Sequence, residues 1–520
     1  MPPVNPDPRS APHGSRADLF GTIADDVADI LRRPLFQYLA ATAAALVILF
    51  ARAPVAGVMP ELFAEDGAWT SRIYTRGFAD AVFHGRRGAD YPVFGNVLLL
   101  WLGMRWCDLV HGGDLLALAG DCARVCYLAF AAAISLPVLL LRRQLPGLML
   151  PAVWLLACFL PLGLHDRSPS GFEILGRASN AGFLCLYVGF VLAWHRLANV
   201  TGRTAALGTD LGLLACAATN PLCHAILPLT AWPWWRRVSA VQRRPWRLVA
   251  DRLFPWGLVA ALVLVMVVGL PTAQAKRLPV TAAPLDTDAL VEIGLARSML
   301  YAVVWPWYGQ LSTARTALVA LAVPLLAWCV ALPRHRPVLL GGGLLMGLAS
   351  ATLVRFRPEL ADSLGGYRST FPDRYFYGQH LVALPLLALV TGDAAARLQA
   401  RGAAAWLPWA ALGALAITAA IREPAWVVPH DPLSNHGRSH FAVRLAEALR
   451  DRRFVDADLQ PDPAGRFLEV PNPDGRPKRL VVPREPARRA VDRVRHLARR
   501  GQPDASGMRE AAQPPPGTRR

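Results

Sequence analysis

Residues 35–59, LFQYLAATAAALVILFARAPVAGVM, decide the class of fold. Arg52 is the one charged residue in this run, and alanine, leucine and valine make up most of the rest. A helix needs roughly 20 apolar residues to cross the hydrocarbon core of a bilayer. The stretch therefore predicts a membrane-spanning helix.

Comparable hydrophobic runs recur along the chain, at 125–141, 145–164, 178–194, 204–235, 253–275, 316–333, 337–354, 375–392 and 402–421. One of them, 204–235, is long enough for a hairpin of two short helices, which gives about eleven crossings in total. Hydrophobic residues make up 54% of the chain and charged residues 18%, and the mean hydropathy is +0.31. An ordinary soluble protein is less apolar, so the predicted fold class is an α-helical polytopic membrane protein.

The net charge of +18 comes from basic clusters between the hydrophobic runs. A nucleic-acid interface would gather these residues in one stripe or domain, whereas the positive-inside rule places such clusters on the cytoplasmic side of a membrane. We therefore expect a cytoplasmic N-terminus. The clusters are Arg32 with Arg33, Arg142 with Arg143, Arg196 with Arg203, residues 236–252, Arg334 with Arg336, and Arg397 with Arg401.

Two weaker runs, 92–110 and 289–308, contain charged residues and are not counted as crossings. Counting either of them would move the later basic clusters to the outer side. We expect both to form amphipathic helices on the outer membrane surface. The odd number of crossings then places the C-terminus outside, in a multi-pass protein of a bacterial inner (plasma) membrane.

Composition and charge divide the chain into four parts. They are residues 1–33, a cytoplasmic N-terminal tail; 34–421, a transmembrane core with a first outer loop at 52–124; 422–483, a small extracytoplasmic domain; and 484–520, a basic tail that we expect to be poorly ordered.

The small domain is predicted from three local patterns. Residues 439–450 have helical amphipathic spacing, and the apolar stretches 467–470 and 480–483 flank a turn-rich segment. Such a pattern predicts a helix followed by a β-hairpin, which is an α+β arrangement.

The eight cysteines lie in or beside hydrophobic runs, so no extracytoplasmic disulfide framework is implied. Cys122 and Cys126 have helical spacing, but no histidine or third thiol accompanies them in the motif, which favours packing over metal binding. The sequence also lacks nucleotide-binding loops and zinc signatures. ATP-driven transport within this chain is therefore disfavoured.

An acidic pair, Glu65 and Asp66, follows the first hydrophobic run and lies between Phe63 and Trp69. Carboxylates at a membrane boundary are costly to desolvate, which favours a role in chemistry or cation binding. The alternative is a solvated loop pair that caps a helix starting at Gly67. The pair is the first candidate for a catalytic site.

Three further patterns lie at the boundaries of hydrophobic runs. They are Asp373-Arg374-Tyr375-Phe376, the segment from Glu173 to Asn180, and Thr219-Asn220-Pro221.

The order of these motifs along this topology resembles the GT-C superfamily, polytopic glycosyltransferases that take a sugar from a polyprenyl-phosphate carrier. The resemblance covers the membrane core up to residue 421. In that superfamily the first outer loop carries an acidic catalytic residue and surface helices, and a later outer loop carries an Arg-Tyr pair at the start of a membrane helix. The resemblance implies inverting sugar transfer to an extracytoplasmic glycan or lipid-linked acceptor, and it leaves open whether a divalent cation takes part.

The resemblance also assigns roles to residues. Asp66 is expected to be the general base that takes the acceptor proton, with Glu65 orienting the acceptor or binding a cation, although the reverse assignment stays open. Arg374, with Tyr375 and Arg368, is expected to hold the donor phosphate, because a guanidinium can contact phosphate oxygens bidentately.

Glu173, Asn180 and His380 complete the predicted site as residues that line an acceptor or donor cavity. Each basic or acidic candidate has a structural alternative. His380 could be a hydrogen-bonded residue of the helix bundle, Glu173 could pair with Arg177 on a helix surface, and Arg374 could be an interfacial anchor.

The main rival function is a multi-pass transporter or a lipid-linked glycan flippase. Internal repeats and ionisable residues near the bilayer midplane would favour it, and Asp210 is the only carboxylate well inside a hydrophobic run. An O-antigen ligase or polymerase would be expected to have a larger outer loop than residues 355–374. A non-catalytic assembly subunit is the third alternative.

Overall fold

The computed structural model describes residues 33–53, 62, 65–84, 93–160, 174–198, 203–220, 222–223, 297–299, 301, 313–356, 374–422, 437–455, 460–470 and 480–500. Helices dominate these residues, and five of them are long and apolar enough to cross a membrane. They are Pro34–Arg52, Leu115–Leu140, Ala178–Arg196, Arg336–Leu353 and Tyr375–Ala400. The prediction of a helical protein is confirmed, and these five helices are candidate membrane spans by their length and composition.

Among the described residues the helices are, in chain order, α1 Pro34–Arg52, α2 Glu65–Arg76, α3 Phe78–His84, α4 Phe94–His111, α5 Leu115–Leu140, α6 Met149–Cys158, α7 Ala181–Ala198, α8 Arg203–Thr219, α9 Thr313–Val330, α10 Arg336–Phe356, α11 Arg374–Ala400, α12 Leu407–Arg422, α13 Gly437–Arg450 and α14 Arg484–Arg499. A 3₁₀ turn, Ala178–Asn180, precedes α7, and the strands β1 Phe467–Val470 and β2 Leu480–Pro483 precede α14.

Nearly all of the predicted hydrophobic runs contain a helix, and the run at 253–275 lies outside the described residues. The number of eleven crossings therefore stays a prediction. One boundary differs, because α5 begins at Leu115 rather than at 125. The side chain of Asp114 caps this helix by accepting a hydrogen bond from the Leu116 N–H, and the left-handed Gly112 ends α4 just before it.

The described clusters at Arg142 with Arg143, Arg196, Arg334 with Arg336, and Arg397 lie together at one end of the helix bundle, here called the basic end, whereas residues 236–252 lie outside the described residues. His195 near the end of α7 contacts the Leu140 carbonyl at the end of α5, at 2.8 Å. The Leu332 N–H between α9 and α10 donates to Asp393 late in α11, at 2.8 Å. These contacts agree with the alternation of helix directions that the positive-inside rule predicts, while the side of the membrane stays a prediction.

A second hydrophobic core lies at the opposite end, here called the Asp66 end. It joins α2, α3, α4 and the start of α5 to α13, β1, β2 and α14, through residues such as Trp69, Val97, Leu118, Leu468 and Val491. This core therefore contains residues from both sides of the predicted domain boundary at residue 422. The two strands pair antiparallel, with Leu468 opposite Val482, and the Val481 N–H donates to Ser71 Oγ of α2 at 2.7 Å.

The basic tail differs from its prediction. Its first part, Arg484–Arg499, is helix α14 rather than a poorly ordered segment. Ala487, Ala490 and Val491 are buried in the second core. They fall on one face of the helix because of their i, i+3 and i+4 spacing. The many arginines in this segment made the apolar face difficult to recognise from the sequence.

The two runs that were not counted as crossings have different outcomes. The run at 92–110 is helix α4, which packs with the Asp66-end core and is not among the membrane-spanning helices. From the run at 289–308 only residues 297–299 and 301 are described, and Arg297 there is 0% exposed. This part is buried against α11 rather than lying on a surface.

Candidate functional site

The acidic pair opens a helix rather than lying in a solvated loop. Helix α2 begins at Glu65, and Asp66 is only 3% exposed. The backbone N–H of Ser179 donates a hydrogen bond to Asp66 Oδ1 at 2.7 Å. Both the peptide N–H and the first turn of a helix stabilise a negative charge. The side chain of Glu65 lies outside the described residues.

The turn that contacts Asp66 is held from its other side by Asn96 of α4. The Asn96 side-chain amide donates to the carbonyls of Ala178, at 2.6 Å, and Ser179, at 2.9 Å. Asn180, one of the predicted cavity residues, ends this turn and is 7% exposed. The structure therefore brings Asp66 and Asn180 into one polar site, although they lie more than a hundred residues apart.

The third pattern, Thr219 with Asn220, joins the same site at the end of α8. Thr219 Oγ1 accepts a hydrogen bond from the Gly95 N–H at 2.8 Å, next to Asn96. The Asn220 side-chain amide donates to the Gly182 carbonyl at 2.9 Å, just after the turn. We call this set, namely Asp66, Asn96, residues 178–180, Thr219 and Asn220, the Asp66 junction.

Two further polar atoms lie on the helix that carries Asp66. Among the residues that the structure describes, the Trp69 indole nitrogen and the Thr70 hydroxyl are buried without a hydrogen-bond partner. Their positions three and four residues after Asp66 put them on the same face of α2. Buried polar atoms are nearly always paired in folded proteins, so this face has capacity to bind a polar ligand.

The start of α11 packs directly against the start of α7, beside the junction. The rings of Phe183 and Tyr375 meet edge to face, with centroids 5.3 Å apart. A Cβ on Gly378 would overlap the carbonyl of Phe183, so the two backbones are in close contact. Tyr375 therefore lies at the same end as Asp66. Arg374 begins α11 with its side chain outside the described residues, and Arg368 and Glu173 lie outside them as well.

His380 lies one step deeper, in a group that we call the ring cluster: Arg297, Tyr301, Phe376 and His380. Nε2 of His380 is 2.9 Å from the Arg297 carbonyl, and its ring stacks on Tyr301 with centroids 4.8 Å apart. The Arg297 guanidinium carbon is 3.8 Å from the centre of the Tyr301 ring. His380 is therefore a buried, hydrogen-bonded residue of the helix bundle, which was the structural alternative given for it above. The sequence offered Arg297 only as a charge that weakened a hydrophobic run.

The carboxylate that the transporter hypothesis depends on is paired. Nε and Nη2 of Arg196 donate to the two oxygens of Asp210, at 3.0 and 3.3 Å, and both side chains are 7% exposed. Asp393, which the sequence did not single out, is buried too and contacts Nδ1 of His335 at 2.9 Å. Both pairs lie at the basic end.

Possible ligands for a divalent cation are found away from the acidic pair. Within the described residues, the one group with three ligand types is Cys107, His111 and Asp121. Burial, followed by the charge of Asp121, raises the pKa of the Cys107 thiol to about 12. In the metal-free protein this thiol therefore carries its proton.

Comparison of the chain with protein-family models, curated proteins and solved structures gave no match. The function is therefore argued from the residues and their geometry.

Proposed function

We propose that this protein is a membrane glycosyltransferase of the GT-C type, which moves a sugar from a polyprenyl-phosphate carrier to an extracytoplasmic glycan or lipid-linked acceptor in the bacterial cell envelope. The observation that carries the proposal is the buried Asp66 carboxylate, which is held by the Ser179 N–H. Three separate segments, each with a pattern that resembles one of that superfamily, meet at the Asp66 junction.

The chemistry of the transfer suits such a carboxylate. The acceptor hydroxyl must lose its proton as the anomeric carbon becomes oxocarbenium-like, and one positioned base is sufficient for an inverting displacement. Asp66 is the proposed base, because the hydrogen bond from the Ser179 N–H fixes the orientation of its carboxylate at 2.7 Å. Glu65 is proposed to orient the acceptor or to bind a cation. Trp69 and Thr70 offer polar groups to the same acceptor.

The leaving group is a lipid phosphate, whose developing charge needs a cation on the same side. Arg374 is proposed for this role, with Tyr375 beside it and Arg368 as a second cation. The contact between Tyr375 and Phe183 supports the proposal, because it brings the start of α11 to the helix that follows Asn180. His380 is proposed as a wall residue of the donor side rather than as a base.

Transport or lipid flipping is the second candidate, and the buried ionisable pairs favour it. Arg196 with Asp210 and His335 with Asp393 place charges inside a helix bundle, which is typical of ion pathways. In both pairs the two side chains contact each other directly, and both pairs lie at the basic end, away from Asp66. Uptake of a glycan lipid into vesicles without any sugar transfer would favour this candidate.

The test compares cell-envelope glycans in cells that lack the protein and in cells that produce a variant. We expect loss of one specific sugar without the protein, and full restoration by the unmodified chain. Asp66→Asn keeps an oxygen for the Ser179 N–H but removes the proton acceptor, so transfer should fall by roughly 10²-fold or more.

Asp108→Asn is the matched control, since this acidic side chain on α4 is 55% exposed and outside the junction. It should restore the sugar fully. Glycans that do not change when the protein is absent, or full restoration by Asp66→Asn, would contradict the proposed function.

A further inference from the structure

The hairpin between α4 and α5 gathers three side chains of different chemistry. The Cys107 sulfur, a His111 ring nitrogen and an Asp121 carboxylate oxygen all lie within 4.8 Å of one another. Cys107 and His111 are four residues apart on α4 and therefore share a face. Asp121 comes from α5 and is 0% exposed. We call these three residues the hairpin cluster.

The backbone of the hairpin holds the cluster in place. Gly112 and Gly113, between the helices, have φ angles of +59° and +74°, which favour glycine. A Cβ on Gly103 would be 2.6 Å from the Cα of Cys122, so the two helices touch without an intervening side chain. The positions of the three side chains are thus set by the fold before any ligand binds.

We propose that the hairpin cluster is a site for a divalent transition metal of the Zn²⁺ type, with Cys107, His111 and Asp121 as its three protein ligands. Sulfur, imidazole and carboxylate are the ligands that Zn²⁺ takes, at about 2.3, 2.0 and 2.1 Å. Tetrahedral ligands at these distances are about 3.3–3.7 Å apart. Small side-chain rotations from the present spacing are therefore sufficient.

Charge and access fit this metal. A thiolate and a carboxylate together neutralise a divalent ion, and metal binding releases the thiol proton to water. The His111 side chain is 35% exposed, so solvent reaches the cluster from its side. A water molecule there would complete the tetrahedron.

A second layer of contacts orients the ligands. The Arg124 guanidinium donates to Asp121 Oδ1 at 2.5 Å, while the other oxygen, Oδ2, faces His111 at 2.8 Å. One oxygen is therefore held from outside and the other is directed to the cluster, as in many metal sites. The competing explanation is a metal-free polar network, in which Asp121 pairs with His111 and Arg124 and the Cys107 thiol donates a hydrogen bond to the Asp114 carbonyl at 3.3 Å.

Cobalt(II) is the probe that separates the two explanations, because a thiolate ligand gives Co²⁺ an intense sulfur-to-metal charge-transfer absorption. The purified full-length protein in detergent should bind one Co²⁺ with this absorption, and Zn²⁺ should displace it. Cys107→Ser should abolish the absorption. His111→Gln should weaken binding by at least tenfold, and Arg124→Gln by roughly 10- to 100-fold, as loss of an outer contact usually does.

Cys329→Ser is the matched control, since Cys329 is an exposed cysteine outside the cluster, and it should keep the absorption. No charge-transfer absorption in the unmodified protein would overturn the proposal, as would an absorption that persists in Cys107→Ser. Because these readouts involve no sugar transfer, the metal site and the proposed function stand or fall separately.

Discussion

The Asp66 junction and the ring cluster are two buried polar sites at the same end of the molecule, and they hold opposite charges by different means. The junction fixes a carboxylate with a peptide N–H at 2.7 Å. The ring cluster surrounds the Arg297 guanidinium with the rings of Tyr301 and Phe376. Hydrogen bonds depend on direction, whereas ring contacts tolerate small shifts. Substitutions at the Asp66 junction should therefore reduce stability more than substitutions in the ring cluster.

The largest expected effect comes from separating the two sites. Gly378 lies where α11 meets α7, and Gly378→Ala would place a Cβ against the Phe183 carbonyl. Because that neighbour is backbone, the helices must move apart, and overpacking of this kind costs about 1–3 kcal/mol. The melting temperature in detergent should fall and sugar transfer should fall with it.

Gly343→Ala is the control for that variant, because a Cβ there meets no atom within 4 Å. Its melting temperature should be unchanged or slightly higher, since alanine favours a helix. Equal behaviour of the two glycine variants would mean that the contact between α7 and α11 does not link the sites.

The next largest effect is the difference in stability between a variant of the Asp66 junction and a variant of the ring cluster. Asn96→Ala removes the donor for the buried Ala178 carbonyl and the half-buried Ser179 carbonyl, and the loss of the buried partner costs about 1–3 kcal/mol. His380→Phe removes the donor for one buried carbonyl, that of Arg297, but keeps an aromatic ring, so a loss near the lower end of the same range, about 1 kcal/mol, is expected. Thermal unfolding of both variants measures the difference. A larger loss for His380→Phe would reverse the comparison.

A smaller effect is expected at the donor side. Arg374→Ala should weaken affinity for a polyprenyl-phosphate sugar by about tenfold, which corresponds to about 1.4 kcal/mol and to one charge-assisted contact. Arg374→Lys keeps the charge but loses the planar guanidinium group, so its donor affinity should lie between that of Arg374→Ala and that of the unmodified protein. The protein should still insert normally. Unchanged donor affinity in Arg374→Ala would leave this residue as an interfacial anchor.

The smallest effect concerns a carboxylate that is held by peptide N–H groups within its own loop. The N–H groups of Arg466, at 2.8 Å, and Ala464, at 2.9 Å, donate to Asp462 and lower the pKa of this carboxyl group. A lowered pKa in the folded state adds stability above the ordinary value of about 3.9, and this stability is lost as the pH falls through the lower pKa.

The protection of the Ala464 and Arg466 amides, taken as the intrinsic exchange rate divided by the observed rate at each pH, should therefore fall below about pH 4. In Asp462→Asn this loss of protection with falling pH should disappear. A loss of equal size in the variant would show that another group causes it.

Local patterns in the sequence predicted much of this fold. The hydrophobic runs that the structure describes contain helices, and five of these helices are long and apolar enough for a complete span. The paired strands Phe467–Val470 and Leu480–Pro483 occur where the two apolar stretches predicted a hairpin. Asp66, Asn180 and Tyr375 were recognisable because polar residues stood out at the ends of apolar runs.

The sequence by itself thus determined the helical class, the candidate spans and the residues that interrupt them. Only the tertiary structure decided that Asp66 meets the turn at 178–180, that Arg297 is buried beside His380, and that α14 shares a core with α2. Each of these contacts joins segments that are distant in the chain. Composition and periodicity report the preferences of single segments, whereas such contacts depend on how several helices pack at once.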